Sequence, residues 1–230
     1  MMGILKKFYG SANEDCIKDI IKLLEKNPKH KFLDVGCSNG TNTLRFSNKI
    51  ETKNIFGIEI DKKAKEQAEE KGIKIVRIDL NKKWGFKDNS IDVITANQVI
   101  EHLYDTDNFV KEIYRILKSN GYAIISTNNL SSWHNFIPLL LGYQPFPNDV
   151  SKYSNIGKLF SLSKKGCNQY NHHRVFSFQA LKGIFRQYNF KIEKHKGAGY
   201  YPFPKGVNKL FSFIDPWHSV YQTIKVRKIK

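Results

Sequence analysis

Short apolar segments that alternate with helical segments are the feature that most limits how this 230-residue chain can fold. Strands that alternate with helices pair in parallel, because each connection crosses back over the sheet with a right-handed turn. The pattern therefore predicts an α/β fold with a doubly wound sheet. The five predicted strands of this part are residues 31–35, 54–60, 73–78, 91–96 and 122–126.

The helices are predicted from capping residues and from apolar residues at helical spacing. Ser11 and Glu14 form a capping box that predicts a first helix over residues 11–27. The other predicted elements are helices over 41–49 and 62–71 and from 106 and 177, and late strands over 190–195 and 220–226.

The alternation stops after residue 128. Residues 129–175 are rich in Asn, Ser, Pro, Gly and aromatic residues and are predicted to lack regular structure, and a loop of this length is usually functional or disordered. The aromatic content argues against disorder. Residues 138–143 are predicted to form a local hydrophobic plug, with a lid or an interfacial patch as the alternative.

The segment Gly36-Cys37-Ser38-Asn39-Gly40 joins the first predicted strand to a helix. Glycines let a ligand approach the backbone, and a helix N-terminus offers free N–H groups, so this is a nucleotide-type site. A phosphate-binding loop of the Gly-Lys-Ser/Thr type is excluded, and the dinucleotide pattern G-x-G-x-x-G is absent. A hydrolase nucleophile elbow matches G-x-S-x-G, but it follows several strands rather than one.

The acid at the end of the second strand distinguishes these alternatives. Glu59 lies about 20 residues beyond the glycine loop, where a carboxylate can accept hydrogen bonds from ribose hydroxyls. With the loop at 32–40, the segments at 57–61, 77–80 and 91–103 and the helix and strand over 109–126, the chain resembles the class I S-adenosylmethionine (SAM) methyltransferases of small-molecule type (type 11/23-like). The resemblance is specific over about residues 30–127 and looser elsewhere.

The resemblance implies SAM as the cofactor, S-adenosylhomocysteine as its product, and a set of binding residues. Asp34 and Gly36 would lie near the methionine part, Glu59 would bind the ribose, Asp79 would meet the adenine amino group, and Asn97 would sit beside the methionine ammonium. The structural alternatives are a loop-orienting role for Asp34 and a turn for Asp79. The complete predicted cofactor set is Asp34, Gly36, Cys37, Ser38, Gly40, Glu59, Ile60, Asp79, Leu80 and Asn97.

Methyl transfer from a sulfonium needs an aligned nucleophile and, for a hydroxyl, removal of its proton. The candidate catalytic residues are therefore Glu101, His102, His134 and His173. The alternative for His102 is that it packs against or caps the next loop. Metal-assisted members of the class place another Glu three residues before the Glu-His pair. That position is Gln98 here, so no metal is predicted.

The implied fold is a Rossmann-like doubly wound seven-stranded mixed sheet with an insertion after strand five. The predicted organisation is one domain. Residues 1–128 would form the SAM-binding core, residues 129–176 the insertion that covers the acceptor site, and residues 177–230 a helix and antiparallel strands that complete the sheet.

The net charge of +17 is unevenly distributed. Residues 1–128 hold 22 Lys and Arg against 18 Asp and Glu, whereas residues 129–230 hold 16 against 3. A basic surplus on one part predicts an anionic partner there: nucleic acid, a phosphorylated substrate or an anionic membrane. The alternative is a bias of composition or solubility, because Lys outnumbers Arg 32 to 6 and Arg is the residue that binds phosphate bidentately.

The predicted function is methyl transfer to an O or N atom of a small-molecule or lipid/glycan-linked acceptor. The basic surplus of residues 129–230 would favour an acceptor that carries an anionic group. An RNA (nucleic-acid) methyltransferase and a non-catalytic SAM-binding module are the alternatives. Peripheral membrane contact is kept as a further partner, and the oligomeric state is not predicted.

Cysteine usage and apolar segments bear on location. Cys16, Cys37 and Cys167 are widely separated and are predicted to be reduced thiols of a cytoplasmic protein. Residues 1–10 lack the apolar segment of a signal peptide, and the longest apolar stretch, 136–143, is too short to span a membrane.

Overall fold

The computed structural model describes residues 2–151, 153–154, 156–159, 172–200, 203 and 205–229, with side chains from residue 10 onward except at 205 and 206. Cys16 and Cys37 are free and buried thiols. The predicted reduced thiol Cys167 lies outside the described residues.

Seven strands and seven α-helices make up the regular part of these residues. The strands are β1 (Phe32–Val35), β2 (Ile55–Ile58), β3 (Lys74–Val76), β4 (Ile91–Asn97), β5 (Leu117–Asn128), β6 (Phe190–Ala198) and β7 (Tyr221–Lys228). The helices are α1 (Met2–Leu23), α2 (Thr41–Ile50), α3 (Lys62–Glu69), α4 (Thr106–Ile116), α5 (Trp133–Leu140), α6 (Phe178–Gln187) and α7 (Lys205–Ile214). Short 3-10 helices cover Ile100–His102 and Pro216–His218.

The strands form one sheet in the order β3-β2-β1-β4-β5-β7-β6. The first five pair in parallel, whereas β7 runs antiparallel to both β5 and β6. The predicted seven-stranded mixed sheet of Rossmann-like, doubly wound type is confirmed.

Both faces of the sheet are covered, because neighbouring residues of a strand point to opposite sides. Leu33 of β1 packs in a core with α4 and α6, whereas the adjacent Phe32 packs in a second core with α1 and α2. Helices on both faces leave the strand ends as the place where a ligand can reach the sheet.

The predicted start of the first helix is wrong. Ser11 lies inside α1 rather than at its N-terminus, and its buried hydroxyl has no hydrogen-bond partner among the described residues. Glu14 pairs with Arg45 of α2 at 2.6 Å instead of closing a capping box. A tertiary ion pair therefore accounts for the acid that the sequence pattern assigns to capping.

Helix α5 occurs in the segment that is predicted to lack regular structure, and α7 lies between the two late strands, where no element is predicted. The hydrophobic plug predicted at 138–143 is also wrong, because Leu139, Leu140 and Leu141 are exposed, whereas Pro138 is buried. Among the described residues no helix has both the length and the apolar character that crossing a bilayer requires. The cytoplasmic location stays a prediction.

Candidate cofactor and acceptor site

The strand order reverses between β1 and β4, because β2 and β3 lie to one side and β5 to the other. The loops that follow β1 and β4 therefore turn toward opposite faces and open a crevice at the carboxyl ends of these strands. Ligands of open parallel sheets bind at such a reversal point. The predicted cofactor and catalytic residues from Asp34 to His102 lie at the carboxyl ends of β1 to β4 and in the segments that follow them.

The loop after β1 is held in a conformation that glycine permits. Gly36 has φ +69°, and its N–H and that of Cys37 both donate to the carbonyl of Ile58, at 2.9 and 3.1 Å. A Cβ atom on Gly36 would lie 2.6 Å from Cγ2 of Val99. The loop after β1 thus touches the segment after β4, which leads directly to Glu101 and His102.

Ser38 adopts φ +48° and is exposed, although this left-handed region favours glycine. Gly40, at φ +78°, precedes the first residue of α2. Cys37 turns its side chain into a small core with Ala68 and Ile73, and burial raises the pKa of its thiol to about 12. Cys37 can therefore offer a ligand only its backbone.

Asp34 is buried at the end of β1, where its two carboxylate oxygens accept hydrogen bonds from the hydroxyls of Thr43 and Thr95, each at 2.6 Å. Burial raises the pKa of Asp34 to about 6. The carboxylate ties β1 to α2 and β4, which is the loop-orienting role. A contact with the methionine part stays a prediction.

Glu59 connects the ends of β1 and β2. Its Oε2 accepts a hydrogen bond from the N–H of Ser38 at 2.8 Å, and its Oε1 accepts from the N–H groups of Ile60 and Asp61 at 2.8 and 2.9 Å. A carboxylate has about four acceptor sites, so Oε2 retains capacity for a ribose hydroxyl. The geometry fits the predicted ribose contact.

Asp79 follows β3 and is exposed. It accepts hydrogen bonds from the backbone N–H and the side-chain amide of Asn81, at 3.0 and 3.1 Å, and these bonds lower its pKa. Leu80 is half-buried beside it, and Ile60 is exposed at the end of β2. Asp79 thus forms a turn, the alternative role given for it above, and its carboxylate remains accessible to a ligand.

Asn97 ends β4, with Oδ1 accepting a hydrogen bond from the hydroxyl of Ser126 on β5 at 2.5 Å. The next residue, Gln98, has φ +56°, and its N–H donates to the carbonyl of Ser126. This turn directs the chain from β4 into the 3-10 helix that carries Glu101 and His102.

Glu101, His102 and His172 form a cluster after β4, with one ligand atom of each lying within 4.8 Å of the others. Glu101 is 1% exposed, and burial raises the pKa of its carboxyl to about 7. Its Oε1 accepts a hydrogen bond from Asn128 at 3.4 Å, whereas Oε2 has no hydrogen-bond partner among the described residues. The cluster thus contains a buried carboxyl that is about half protonated at physiological pH.

His172 was not among the predicted catalytic residues. Its Nδ1 lies 2.8 Å from the carbonyl of Pro147, and its ring lies 4.8 Å from that of His102. Burial lowers the pKa of His172 to about 4, so the ring is neutral at pH 7. The pair of adjacent histidines at 172 and 173 was the available sequence signal, but it did not indicate which of them faces the cluster.

His173 stacks on Tyr104 with ring centroids 3.8 Å apart. Its N–H and that of Arg174 both donate to the carbonyl of Glu101, at 2.8 and 3.1 Å. The backbone at 173–174 therefore anchors the returning chain on the 3-10 helix.

The ring of His134 lies against that of Phe146, and burial lowers the pKa of His134 to about 4. Catalytic roles for His134 and His173 stay predictions.

One carboxylate and two imidazoles are also a donor set that a divalent cation accepts. Metal-ligating histidines usually direct the second ring nitrogen to a backbone carbonyl, as His172 does toward Pro147. Glu101 Oε2 adds a buried acceptor without a partner among the described residues. These residues fit a metal, although Gln98 stands where metal-assisted members carry Glu, and the absence of a metal stays a prediction.

Comparisons with known proteins identify the family. The methyltransferase domain model matches residues 33–125. The protein MJ1123 of Methanocaldococcus jannaschii is 32% identical over 180 residues, covering 78% of this chain and 74% of that protein. The ubiquinone biosynthesis O-methyltransferase of Pelagibacter ubique is 30% identical over 164 residues, covering 66% of this chain and 68% of that protein.

The matches to two other curated methyltransferases span less than half of their length, 46% of C1B3.06c of Schizosaccharomyces pombe and 44% of YcgJ of Bacillus subtilis. The solved S-adenosylmethionine dependent methyltransferase of Mesorhizobium loti has a TM-score of 0.62 at 15% identity, covering 96% of this chain and 99% of that chain, and shares the fold. The sequence matches and the family model show that the chain belongs to the SAM-dependent methyltransferases.

Proposed function

We propose that the protein transfers the sulfonium methyl group of SAM to a hydroxyl oxygen of a small-molecule or lipid-linked acceptor and releases S-adenosylhomocysteine. The cluster of Glu101, His102 and His172 carries this proposal. It follows the segment at Val99 that touches the glycine loop at Gly36, so it borders the predicted methyl-donor site.

A hydroxyl acceptor needs what this cluster supplies. As the C–S bond breaks and the C–O bond forms, the hydroxyl proton must pass to a base, and the sulfur leaves as a neutral thioether. The pKa of about 7 at Glu101 is matched to proton transfer at neutral pH. His102 is exposed beside it, with a ring nitrogen within 4.8 Å of a Glu101 carboxylate oxygen.

Two further observations favour this acceptor class. The Pelagibacter relative is named as an O-methyltransferase, which supports a hydroxyl acceptor. The net charge of residues 129–230, with 16 Lys and Arg against 3 Asp and Glu, supports an anionic acceptor covered by residues 129–176. N-methylation would not need the base, because a neutral amine attacks without prior loss of a proton.

The proposal is tested by incubating the protein with SAM and each member of a panel of phenols, hydroxy acids, amines and extracted lipids, and measuring the S-adenosylhomocysteine that forms. Glu101→Gln and His172→Ala should lower kcat at least tenfold with hydroxyl acceptors while SAM affinity by calorimetry stays within twofold. Glu51→Gln is the matched control, because Glu51 is an exposed acid whose partner is Lys26.

Other outcomes assign the alternatives. SAM binding without methyl transfer to any acceptor would favour the non-catalytic module. Methylation restricted to amines, unchanged in Glu101→Gln, would contradict the role of the cluster. Methylation of RNA, with an affinity that falls steeply as salt rises, would favour the nucleic-acid enzyme.

The cluster supports a second mechanism for the same reaction, in which Glu101, His102 and His172 hold a divalent cation. The cation would lower the pKa of a bound acceptor hydroxyl. Dialysis against EDTA separates the mechanisms. Activity that survives EDTA supports the acid–base role. Activity that is lost, returns with Zn²⁺ or Mg²⁺, and is not restored in His172→Ala supports the metal role.

A further inference from the structure

Helix α7 has its polar side toward the protein and its apolar side toward solvent. Asn208 is buried and accepts a hydrogen bond from the N–H of Tyr200 at 2.7 Å, and Ser212 lies one turn later, with its hydroxyl 3.5 Å from Asn208 Oδ1. Phe213 is 84% exposed, and Ile214 is also exposed. A surface helix normally has the reverse arrangement.

Helix α5 shows the same inversion. Its buried side chain Asn135 donates to the carbonyl of Asn129 at 3.0 Å and accepts from the N–H of Phe146 at 3.0 Å. Ile137 is exposed, and Leu140 is 74% exposed. The hydrogen bonds of Asn135 fix which side of α5 faces inward, so the apolar side stays outside.

The two helices meet at one edge of the sheet. Trp133, the first residue of α5, donates its indole N–H to Asp215, which directly follows α7, at 3.3 Å. Helix α5 follows the end of β5 at Asn128, and α7 connects the end of β6 to the start of β7. Tyr221 of β7 pairs with both of these strand ends. This is the carboxyl edge, where the cofactor and acceptor site lies.

The charge around the two helices favours an anionic partner. Residues 133–140 and 205–214 contain no acidic residue, and Lys209 of α7 is exposed. The three acids of residues 129–230 each have a basic partner: Asp149 with Lys158, Glu193 with Arg227, and Asp215 with His218. Asp215, the acid directly after α7, is therefore paired, and the exposed Lys209 gives this face a positive charge, which suits an anionic surface.

We infer that the apolar side of α5 and α7 docks on an anionic lipid membrane. The docking face consists of Trp133, Phe136, Ile137, Leu140, Leu141, Leu210, Phe213, Ile214 and Trp217, all of them exposed. Aliphatic and aromatic side chains enter the headgroup boundary, and lysines contact the anionic headgroups. Because the face adjoins the acceptor edge, docking would present a lipid-borne acceptor to the site; this last step rests on the proposed function.

Vesicle sedimentation of the full chain tests the inference. The wild type should pellet with vesicles of phosphatidylcholine containing 30% phosphatidylglycerol, and at least fivefold less with phosphatidylcholine alone or at 0.5 M salt. The double variant Leu140→Ser/Phe213→Ser should lose at least fivefold of the binding. Ile229→Ser is the matched control, an exposed apolar residue just beyond β7 at the opposite edge.

Each result decides the inference independently of the methyl-transfer assay. Binding that follows the anionic lipid and the two substitutions, with unchanged SAM affinity in the double variant, supports the docking face. Failure of the wild type to bind either vesicle overturns it. A wild type that elutes as a dimer, and a double variant that elutes as a monomer, would instead assign the face to self-association. If the wild type does not bind SAM, the proposed function is overturned, whereas the vesicle result still decides whether the docking face binds a membrane.

Discussion

Glu101 offers a direct physical test of the site, because its carboxyl is buried in the folded protein and hydrated in the unfolded chain. Burial raises the pKa of Glu101 from 4.5 to about 7. Between these values the folded state binds more protons than the unfolded state. The free energy of unfolding therefore falls as pH rises through this window, and the loss is complete above pH 7.

The magnitude follows from the size of the shift. A difference of about 2.5 pKa units corresponds to about 3 kcal/mol, of which about 2.5 kcal/mol is lost between pH 5 and pH 8. Glu101→Gln cannot ionise, so its stability relative to the wild type should rise by about 2.5 kcal/mol over the same interval. Any constant effect of the amide, such as its contact with Asn128, cancels because it is present at both pH values.

Urea unfolding of the cofactor-free protein, followed by circular dichroism at pH 5, 6, 7 and 8, measures this difference. Glu51→Gln serves as the control, because the exposed Glu51 should leave the pH dependence of the wild type in place. If the curves of the wild type and Glu101→Gln run parallel from pH 5 to pH 8, Glu101 is not a buried carboxyl near neutrality. The argument for its role as a proton acceptor then fails.

Three other substitutions test the cofactor side. Glu59→Ala should weaken SAM binding at least tenfold in calorimetry, because a charge-assisted hydrogen bond contributes about 1.5–3 kcal/mol, and unchanged affinity would remove the ribose assignment. Gly36→Ala places Cβ 2.6 Å from Val99 Cγ2 at φ +69° and should lower stability by about 1–3 kcal/mol; a wild-type melting temperature would contradict this contact. Thr95→Val deprives the Asp34 carboxylate of one hydroxyl and should destabilise the protein by about 1.5–3 kcal/mol at pH 8 in urea unfolding, whereas a neutral effect would show that the bond is dispensable.

Local sequence signals were sufficient for the strands and for the loop after β1. Gly36 and Gly40 stand where positive φ is required, so composition and conformation agree at these positions. The acid at the end of β2 was also predictable, because its place in the strand–loop–helix pattern fixes the sheet edge at which it emerges. These features depend on residues that are close together along the chain.

The missed features depend on contacts between distant segments. The polar sides of α5 and α7 are defined by hydrogen bonds to Phe146 and Tyr200, so helical periodicity of apolar residues does not reveal which side faces the protein. The choice of His172 over His173 has the same origin. The N–H bonds from 173 and 174 to Glu101 set the orientation of this segment, and they join residues that are far apart along the chain.

The position of β7 between β5 and β6 has a consequence for biosynthesis. β6 leaves the ribosome before the strand that joins it to the sheet, so it has no neighbour to pair with, and β5 keeps an open edge until residues 221–228 emerge. Unpaired strand edges invite association between nascent chains. The interval between translation of β6 and of β7 is therefore a stage at which nascent chains can associate through these open edges.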